Sequence, residues 1–120
     1  MREEVKRWFL LAKEELETAR FNFGGGKYNS SAFWCQQAVE KSMKSLLIKN
    51  TNDFPKIHDL TKLAKLNNAP IDIIELCAKI NPAYVASRYP DAPKRYTREE
   101  CELIIKHSEE VIGWIRKNLD

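Results

Sequence analysis

The sequence lacks a long apolar run, and cysteine is scarce. No apolar stretch approaches the roughly 20 residues that span a bilayer, and residues 1–4 include two glutamates where a signal peptide needs apolar residues. The three cysteines, Cys35, Cys77 and Cys101, lie far apart, and no pair has metal-ligand or redox spacing. We therefore expect a cytoplasmic protein with no membrane segment, whose cysteines are reduced residues of the core.

Strong net charge and strand-like alternation are also absent. Lys and Arg number 20 against 17 Asp and Glu, so the net charge of +3 permits contact with an anion without demanding a nucleic-acid partner. A chain of 120 residues that is 43% hydrophobic can fill one core. There is no internal repeat and no low-complexity tract. We expect a single domain over residues 1–120.

Apolar residues recur three or four apart in most of the chain, which predicts amphipathic helices. The first helix runs from Glu3 to Phe23 and ends at a glycine turn. The second runs from about Ser30 or Ser31, either of which can cap it, to about Asn50. It has apolar residues on more than one side, so we expect it to be central. Among them, Phe33 is expected in the core, with Phe33→Ala costing about 3–5 kcal/mol and Lys44→Ala far less.

Shorter helices follow a linker that contains Pro55. Asp59 can cap a short helix, Pro70 suits the first turn of the next, and Pro82 must break it, although a last turn can resume through Tyr84. Thr97 and Glu100 have capping-box spacing at the start of the final helix. The fold class is therefore all-α: an up-and-down helical bundle of four main helices plus a short helix.

The second helix carries a polar stripe with two interpretations. Gln37, Lys41 and Lys44 stand at i, i+4 and i+7, a spacing that can hold a phosphate, while Glu40 can pair with Lys44 and be bridged by Gln36. The same residues can form a structural network that sets the register of the helices. The stripe is therefore either a buried polar seam or part of an anion site.

The segment from Arg88 to Arg98 is the best candidate for binding. Basic residues alternate there with tyrosines, which offers phosphate contacts beside stacking surfaces. The alternative is that tyrosines and prolines only fasten this loop to the bundle. The predicted anion-binding residues, including those of the second helix, are Arg88, Lys94, Arg95, Arg98, Lys41, Lys44, Gln37, Tyr89 and Tyr96.

Three short motifs resemble one family of helical proteins. Residues 36–46 read Gln-Gln-Ala-x-Glu-Lys-x-x-Lys-x-Leu, and His58–Leu60 and Arg88–Asp91 follow. This pattern resembles the HEPN family, in particular its small stand-alone members from archaea and bacteria. The residues that carry the resemblance are Gln36, Gln37, Glu40, Lys41, Lys44, His58, Asp59, Arg88 and Asp91.

The resemblance implies a binding subunit. Active HEPN ribonucleases carry an Arg followed by a His after four to six intervening residues, but the window after Arg88 holds Pro93, Lys94 and Arg95. We therefore expect no catalytic residue, metal or cofactor, and a non-catalytic subunit that binds a nucleotide or RNA, a minimal nucleotidyltransferase, or both, in a toxin-antitoxin-like pair. The alternatives are a metal-independent ribonuclease with a displaced histidine and a purely structural dimeric module.

The last helix carries a second stripe off its core face. Leu103, His107 and Trp114 form it, and Trp34 adds an extra aromatic residue on the second helix. One bundle can hardly bury all of these side chains, so we expect a homodimer. The two histidines, His58 and His107, are remote in sequence and have no acid at ligand spacing, which argues against a metal site.

Overall fold

A computed structural model describes residues 1–86, 88–91 and 94–120, and all of its regular structure is helical. The four main helices and the short one of the predicted bundle are present, which confirms the all-α fold. One further turn, α5, follows Pro82, as the break at that proline allows. The helices are α1 (Glu3–Gly24), α2 (Tyr28–Thr51), α3 (Leu60–Leu66), α4 (Ile71–Ile80), α5 (Ala83–Ala86) and α6 (Arg98–Leu119).

Helix α2 is central, as its apolar residues on several sides predict. It packs along α1 and α6, and α3 and α5 also rest on it. Ala32, Cys35, Val39 and Met43 are fully buried on its core stripe, together with residues of every other helix. Helices α1 and α6, by contrast, contact each other only slightly. Most of the hydrophobic stabilisation therefore comes from contacts that involve α2.

The start of α2 corrects the predicted serine cap. The helix begins at Tyr28, and its N-cap, Lys27, makes no side-chain cap. Gly26 takes a left-handed φ of 75°, and the Lys27 amide donates to the Asn22 carbonyl, so the chain enters α2 directly from the glycine turn. The Ser31 hydroxyl instead donates to the Ala19 carbonyl at 2.7 Å, which ties α2 to α1.

Side-chain caps mark the starts of α3 and α6. The Asp59 carboxylate accepts from the amides of Thr61 and Lys62 at the start of α3, and the Asn81 side chain donates to it at 2.9 Å. At α6, Thr97 and Glu100 form the predicted capping box. These bonds satisfy amides that have no partner inside the helix.

The three cysteines are buried and free. Burial raises the pKa of the Cys35 and Cys77 thiols to about 12, so both stay protonated at neutral pH. In the part of the chain that the structure describes, no helix is long and apolar enough to cross a bilayer. Ser87, and Ala92 and Pro93 of the predicted loop, lie outside the described residues.

We predict that Asp59→Ala lowers the free energy of unfolding by about 1–2 kcal/mol at neutral pH. The hydrogen bond from Thr61 is the largest cause that holds the pKa of Asp59 below its ordinary value of 3.8. A carboxyl group whose pKa is lower in the folded than in the unfolded protein stabilises the fold at pH values above its unfolded-state pKa. This contribution is lost as the pH falls through the folded-state pKa. Urea unfolding at neutral and acid pH measures both effects.

Asp59→Asn is the matched control, because asparagine also caps helices. The Asn variant should retain most of the free energy of unfolding at neutral pH. It should lose the part of the pH dependence that the Asp59 carboxylate contributes. If Asp59→Ala unfolded at the same urea concentration as the parent, the cap would contribute nothing to stability.

Candidate functional site

A buried carboxylate on α2 organises the polar seam that the sequence predicts. The Glu40 side chain is 3% exposed and lies 2.9 Å from the Lys44 ammonium, which is itself 6% exposed. Its other oxygen accepts from Gln36 Nε2 at 3.4 Å and contacts His58 Nδ1 at 3.0 Å. The predicted pairing with Lys44 and the bridge from Gln36 are both present, and His58 completes the set.

The Glu40 carboxylate is held in its ionised form. Burial alone would raise its pKa, but the hydrogen bonds from Lys44 and His58 outweigh that effect and leave the pKa below its usual value. An ionised carboxylate accepts hydrogen bonds and donates none. His58 therefore carries its proton on Nδ1, which donates to Glu40, and its Nε2 is left as the outer nitrogen of a half-exposed ring.

The seam continues from Glu40 to α1. Gln37 donates to Gln36 at 2.7 Å, and the Lys41 ammonium donates to Gln37 at 3.1 Å. Lys41 also forms an ion pair with Glu15 of α1 at 3.0 Å. Burial, the largest cause, raises the pKa of Glu15 in spite of this contact. The two lysines of the predicted phosphate stripe thus each face a carboxylate within the fold.

A surface cluster of aromatic and cationic side chains surrounds Tyr84. The His58 ring stacks on the Tyr84 ring at 4.7 Å and 18°, and the Arg88 guanidinium lies over the same ring at 4.7 Å. Phe33 lies 6.3 Å from Tyr84 and packs edge-on against Trp34 at 5.4 Å. We call these five residues the Tyr84 cluster. It joins the predicted Arg88 to the seam of α2 through His58.

The remaining basic residues of the loop have different surroundings. Lys94 pairs with Glu100 at 2.5 Å and lies over the half-buried Tyr96 ring at 4.9 Å. Arg98 lies over the Phe23 ring at 5.5 Å. Arg95 is exposed, and it makes no ion pair within the described residues. Of the predicted loop cations, Lys94 is therefore the one that an ion pair holds, whereas Arg88, Arg95 and Arg98 are exposed and make no ion pair within the described residues.

The loop is fastened to α2 by one asparagine that the sequence interpretation missed. The Asn29 side chain accepts from the Tyr96 amide at 2.8 Å and donates to the carbonyls of Lys94 and Ala86 at 3.3 and 3.4 Å. Tyr89 and Asp91 are exposed. Tyr84 was also missed as a site residue, although Arg88 follows it by four residues, the spacing of neighbours on one helical face.

The surroundings of Phe33 and Lys44 differ from those on which the expected costs of Phe33→Ala and Lys44→Ala were based. Phe33 is half-buried rather than in the core, because it lies on the outer side of α2 against Trp34 and Tyr84. Lys44, whose truncation was expected to cost far less, is buried and neutralises Glu40. A buried carboxylate that loses its cation is far costlier than a partly exposed ring that loses some contacts.

We predict that Lys44→Ala lowers the free energy of unfolding by about 3 kcal/mol, since Glu40 would stay buried without its cation. Phe33→Ala should cost about 1–2 kcal/mol because its ring is already partly exposed. Urea unfolding compares them. Lys44→Met, which keeps the apolar stem, should remain destabilised if the charge matters. A larger loss in Phe33→Ala than in Lys44→Ala would contradict this order.

Acidic and metal-binding side chains do not gather into a metal centre in the described residues. No group of three His, Cys, Asp or Glu side chains among residues 1–86, 88–91 and 94–120 is arranged to hold an ion. The chemistry that the Tyr84 cluster offers is stacking, cation contact and one hydrogen-bond acceptor, the outer imidazole nitrogen. These interactions suit recognition of an anion that carries an aromatic ring.

Comparisons with known proteins give relatives that match nearly the whole chain. The protein named Putative toxin MJ1304, from Methanocaldococcus jannaschii, is 25% identical over 93% of this chain and 86% of its own length. The crystal structure of ST0689, an archaeal HEPN homologue, superposes with a TM-score of 0.82, 28% identity and full coverage of both chains.

A further solved structure supports the fold alone. TT1696 from Thermus thermophilus superposes with a TM-score of 0.88 over 98% of this chain and 99% of its own, at 24% identity. The family model described as the HEPN domain matches residues 5–118. That match spans all six helices and includes the seam of α2, the Asp59 cap and Arg88. The chain therefore belongs to the HEPN family.

Proposed function

We propose that this protein is a non-catalytic HEPN subunit that dimerises, binds a nucleotide at the Tyr84 cluster, and serves a minimal nucleotidyltransferase in a toxin-antitoxin-like pair. The observation that supports nucleotide binding is that His58 and Arg88 both contact the Tyr84 ring at the surface, above the buried Glu40. The name of the relative from M. jannaschii supports a toxin-like role.

The geometry of the cluster suits a nucleotide. Arg88 supplies a guanidinium that can take two phosphate oxygens at once. Phe33 and Trp34 supply rings against which a base can stack, a contact worth about 1–3 kcal/mol for each base. His58 is held by Glu40 and Tyr84, so its outer nitrogen has a set position in the Tyr84 cluster.

Ribonuclease activity is the second candidate, and one observation favours it. His58 and Arg88 both contact the Tyr84 ring, so a His and an Arg share one neighbour in the fold although no His stands at residues 93–95 of the chain. An imidazole within hydrogen-bond reach of a reacting group can act as a general acid or base. Against this, the position of His58 is already explained by its bond to Glu40 and its stacking on Tyr84, which a structural or binding role requires equally.

We predict that adenosine monophosphate binds the parent at low ionic strength and binds Arg88→Ala about tenfold more weakly, because a charge-assisted contact is lost. Isothermal titration calorimetry measures the affinity. Binding should weaken as salt rises. Arg7→Ala is the matched control, since Arg7 is exposed on α1 and makes no ion pair within the described residues. Its affinity should equal that of the parent.

The same proteins test the alternatives. Adding Arg95→Ala to Arg88→Ala should weaken binding further if Arg95 also contacts the ligand. Equal affinities of the parent and the double variant would remove the loop from the ligand site. Incubation with single-stranded RNA should leave the RNA intact, and cleavage that vanishes in His58→Ala but persists in His107→Ala would favour the ribonuclease.

The dimer is proposed to form through the face between α4 and α6. A cavity of about 380 Å³ lies there, lined by Lys79, Pro82, Tyr96, Leu103, Ile104 and His107 among others. Leu103 is 52% exposed beside it. The His107 Nε2 atom is enclosed without a hydrogen-bond partner among the described residues, and burial lowers the pKa of this histidine. A neutral imidazole beside apolar side chains suits a protein interface.

We predict that the parent is a dimer in analytical ultracentrifugation and that Leu103→Glu is a monomer, because a charge would be buried without a partner. Leu66→Glu is the control. Leu66 is 53% exposed on α3, so it matches Leu103 in exposure and residue type but lies away from this face. A parent that sediments as a monomer at high micromolar concentration would contradict the prediction.

A further inference from the structure

A groove runs between α1 and α6, where the two helices contact each other only slightly. Two adjoining cavities of about 300 and 260 Å³ occupy it and share Phe9, Lys13 and Arg116. Its floor is apolar and comes from both helices: Phe9 and Leu16 of α1, Ile112 and Leu119 of α6. The groove is formed by residues that take no part in the Tyr84 cluster.

The residues of the groove repeat every seven positions. On α1, Lys6, Lys13 and Arg20 stand seven apart, and Phe9 and Leu16 keep the same interval. On α6, Ile112 and Leu119 are also seven apart. A seven-residue repeat keeps one face of a helix aligned with a neighbouring helix over several turns. The apolar floor is therefore spaced to receive the apolar stripe of another helix.

The rim of the groove is mainly basic on the α1 side. Among the described residues, Lys6, Lys13 and Arg116 make no ion pair, and Arg20 pairs with Glu109 of α6 at 2.5 Å. Three acids also line the two cavities: Glu17 of α1, the paired Glu109 of α6, and Asp120. The α1 side of the groove extends from Lys6 to Arg20, roughly 21 Å at 1.5 Å per residue. A helix of about four turns matches this length.

We propose that this groove is the docking site for an acidic amphipathic helix of a partner protein. The helix lays its apolar stripe on Phe9, Leu16 and Ile112, and its acidic flank faces Lys6 and Lys13, as in helix-in-groove recognition. Charge complementarity favours this occupant over a second copy of the chain. If two copies paired through their α1 helices, the basic rim of one copy would face the basic rim of the other. The proposal does not depend on nucleotide binding at the Tyr84 cluster.

The test uses two fluorescent peptides of about three heptads, a length at which isolated helices become stable in water. Both carry leucine at the two core positions of each heptad; one has glutamate flanks and the other has lysine flanks. Fluorescence anisotropy with the full-length parent should show saturable binding of the acidic peptide and at least about tenfold weaker binding of the basic one. Amide chemical-shift changes should map to α1 and α6.

Charge reversal at the rim supplies the second measurement. Lys13→Glu with Arg116→Glu should weaken binding of the acidic peptide by at least about tenfold and strengthen binding of the basic one. Lys62→Glu with Lys65→Glu, on the exposed side of α3, is the matched control and should leave both affinities unchanged. Circular dichroism checks that every variant is folded.

Three results would overturn the proposal. The first is equal binding of both peptides, or no binding of either, by the folded parent. The second is a set of chemical-shift changes confined to α4 or to the Tyr84 cluster. The third is self-association of the parent, or binding of a short RNA, that the charge reversal at Lys13 and Arg116 abolishes, since the groove would then hold a second copy or a nucleic acid.

Discussion

The buried Glu40 carboxylate is the constraint on which the rest of the structure depends. A charge 3% exposed must be paired and hydrogen-bonded, and Lys44, Gln36 and His58 meet that requirement from two different segments of the chain. Such a network adds little net stability, because desolvation offsets the attraction. Its effect is positional: His58 must sit over α2, and Tyr84 then stacks on a ring whose orientation is already set.

Most of the fold follows from local patterns, which is why the sequence predicts it well. The capping box at Thr97, the Asp59 cap and the break at Pro82 involve residues within a few positions of one another, so spacing alone reveals them. The pairing of Glu40 with Lys44 is equally local, at i and i+4. The start of α2 is the exception. The serines near it have side chains that can cap a helix, but the chain enters α2 directly from the glycine turn that ends α1.

The candidate site was predicted less completely, because contacts between distant segments decide it. The sequence identifies Arg88, but it does not reveal that α5 places Tyr84 between that arginine and His58. Asn29 likewise binds the loop from 65 and 67 residues away. The placement of Phe33 was wrong for a related reason. An aromatic residue at an apolar position of a helix is typical of the core, whereas Phe33 lies against another ring at the surface, that of Tyr84.

Charge pairing favours the structural interpretation of the α2 stripe over the anion site. A row of lysines seven or fewer positions apart has the same appearance whether it binds phosphate or neutralises carboxylates inside the fold. In this structure the lysines are matched one to one, Lys41 by Glu15 and Lys44 by Glu40, so an anion there would compete with a carboxylate that is already in place. Arg88 and Arg95 face no such competitor among the described residues. We therefore propose the loop, rather than the stripe of α2, as the place for anion recognition, with the polar seam of α2 holding the imidazole on which the tyrosine ring stacks.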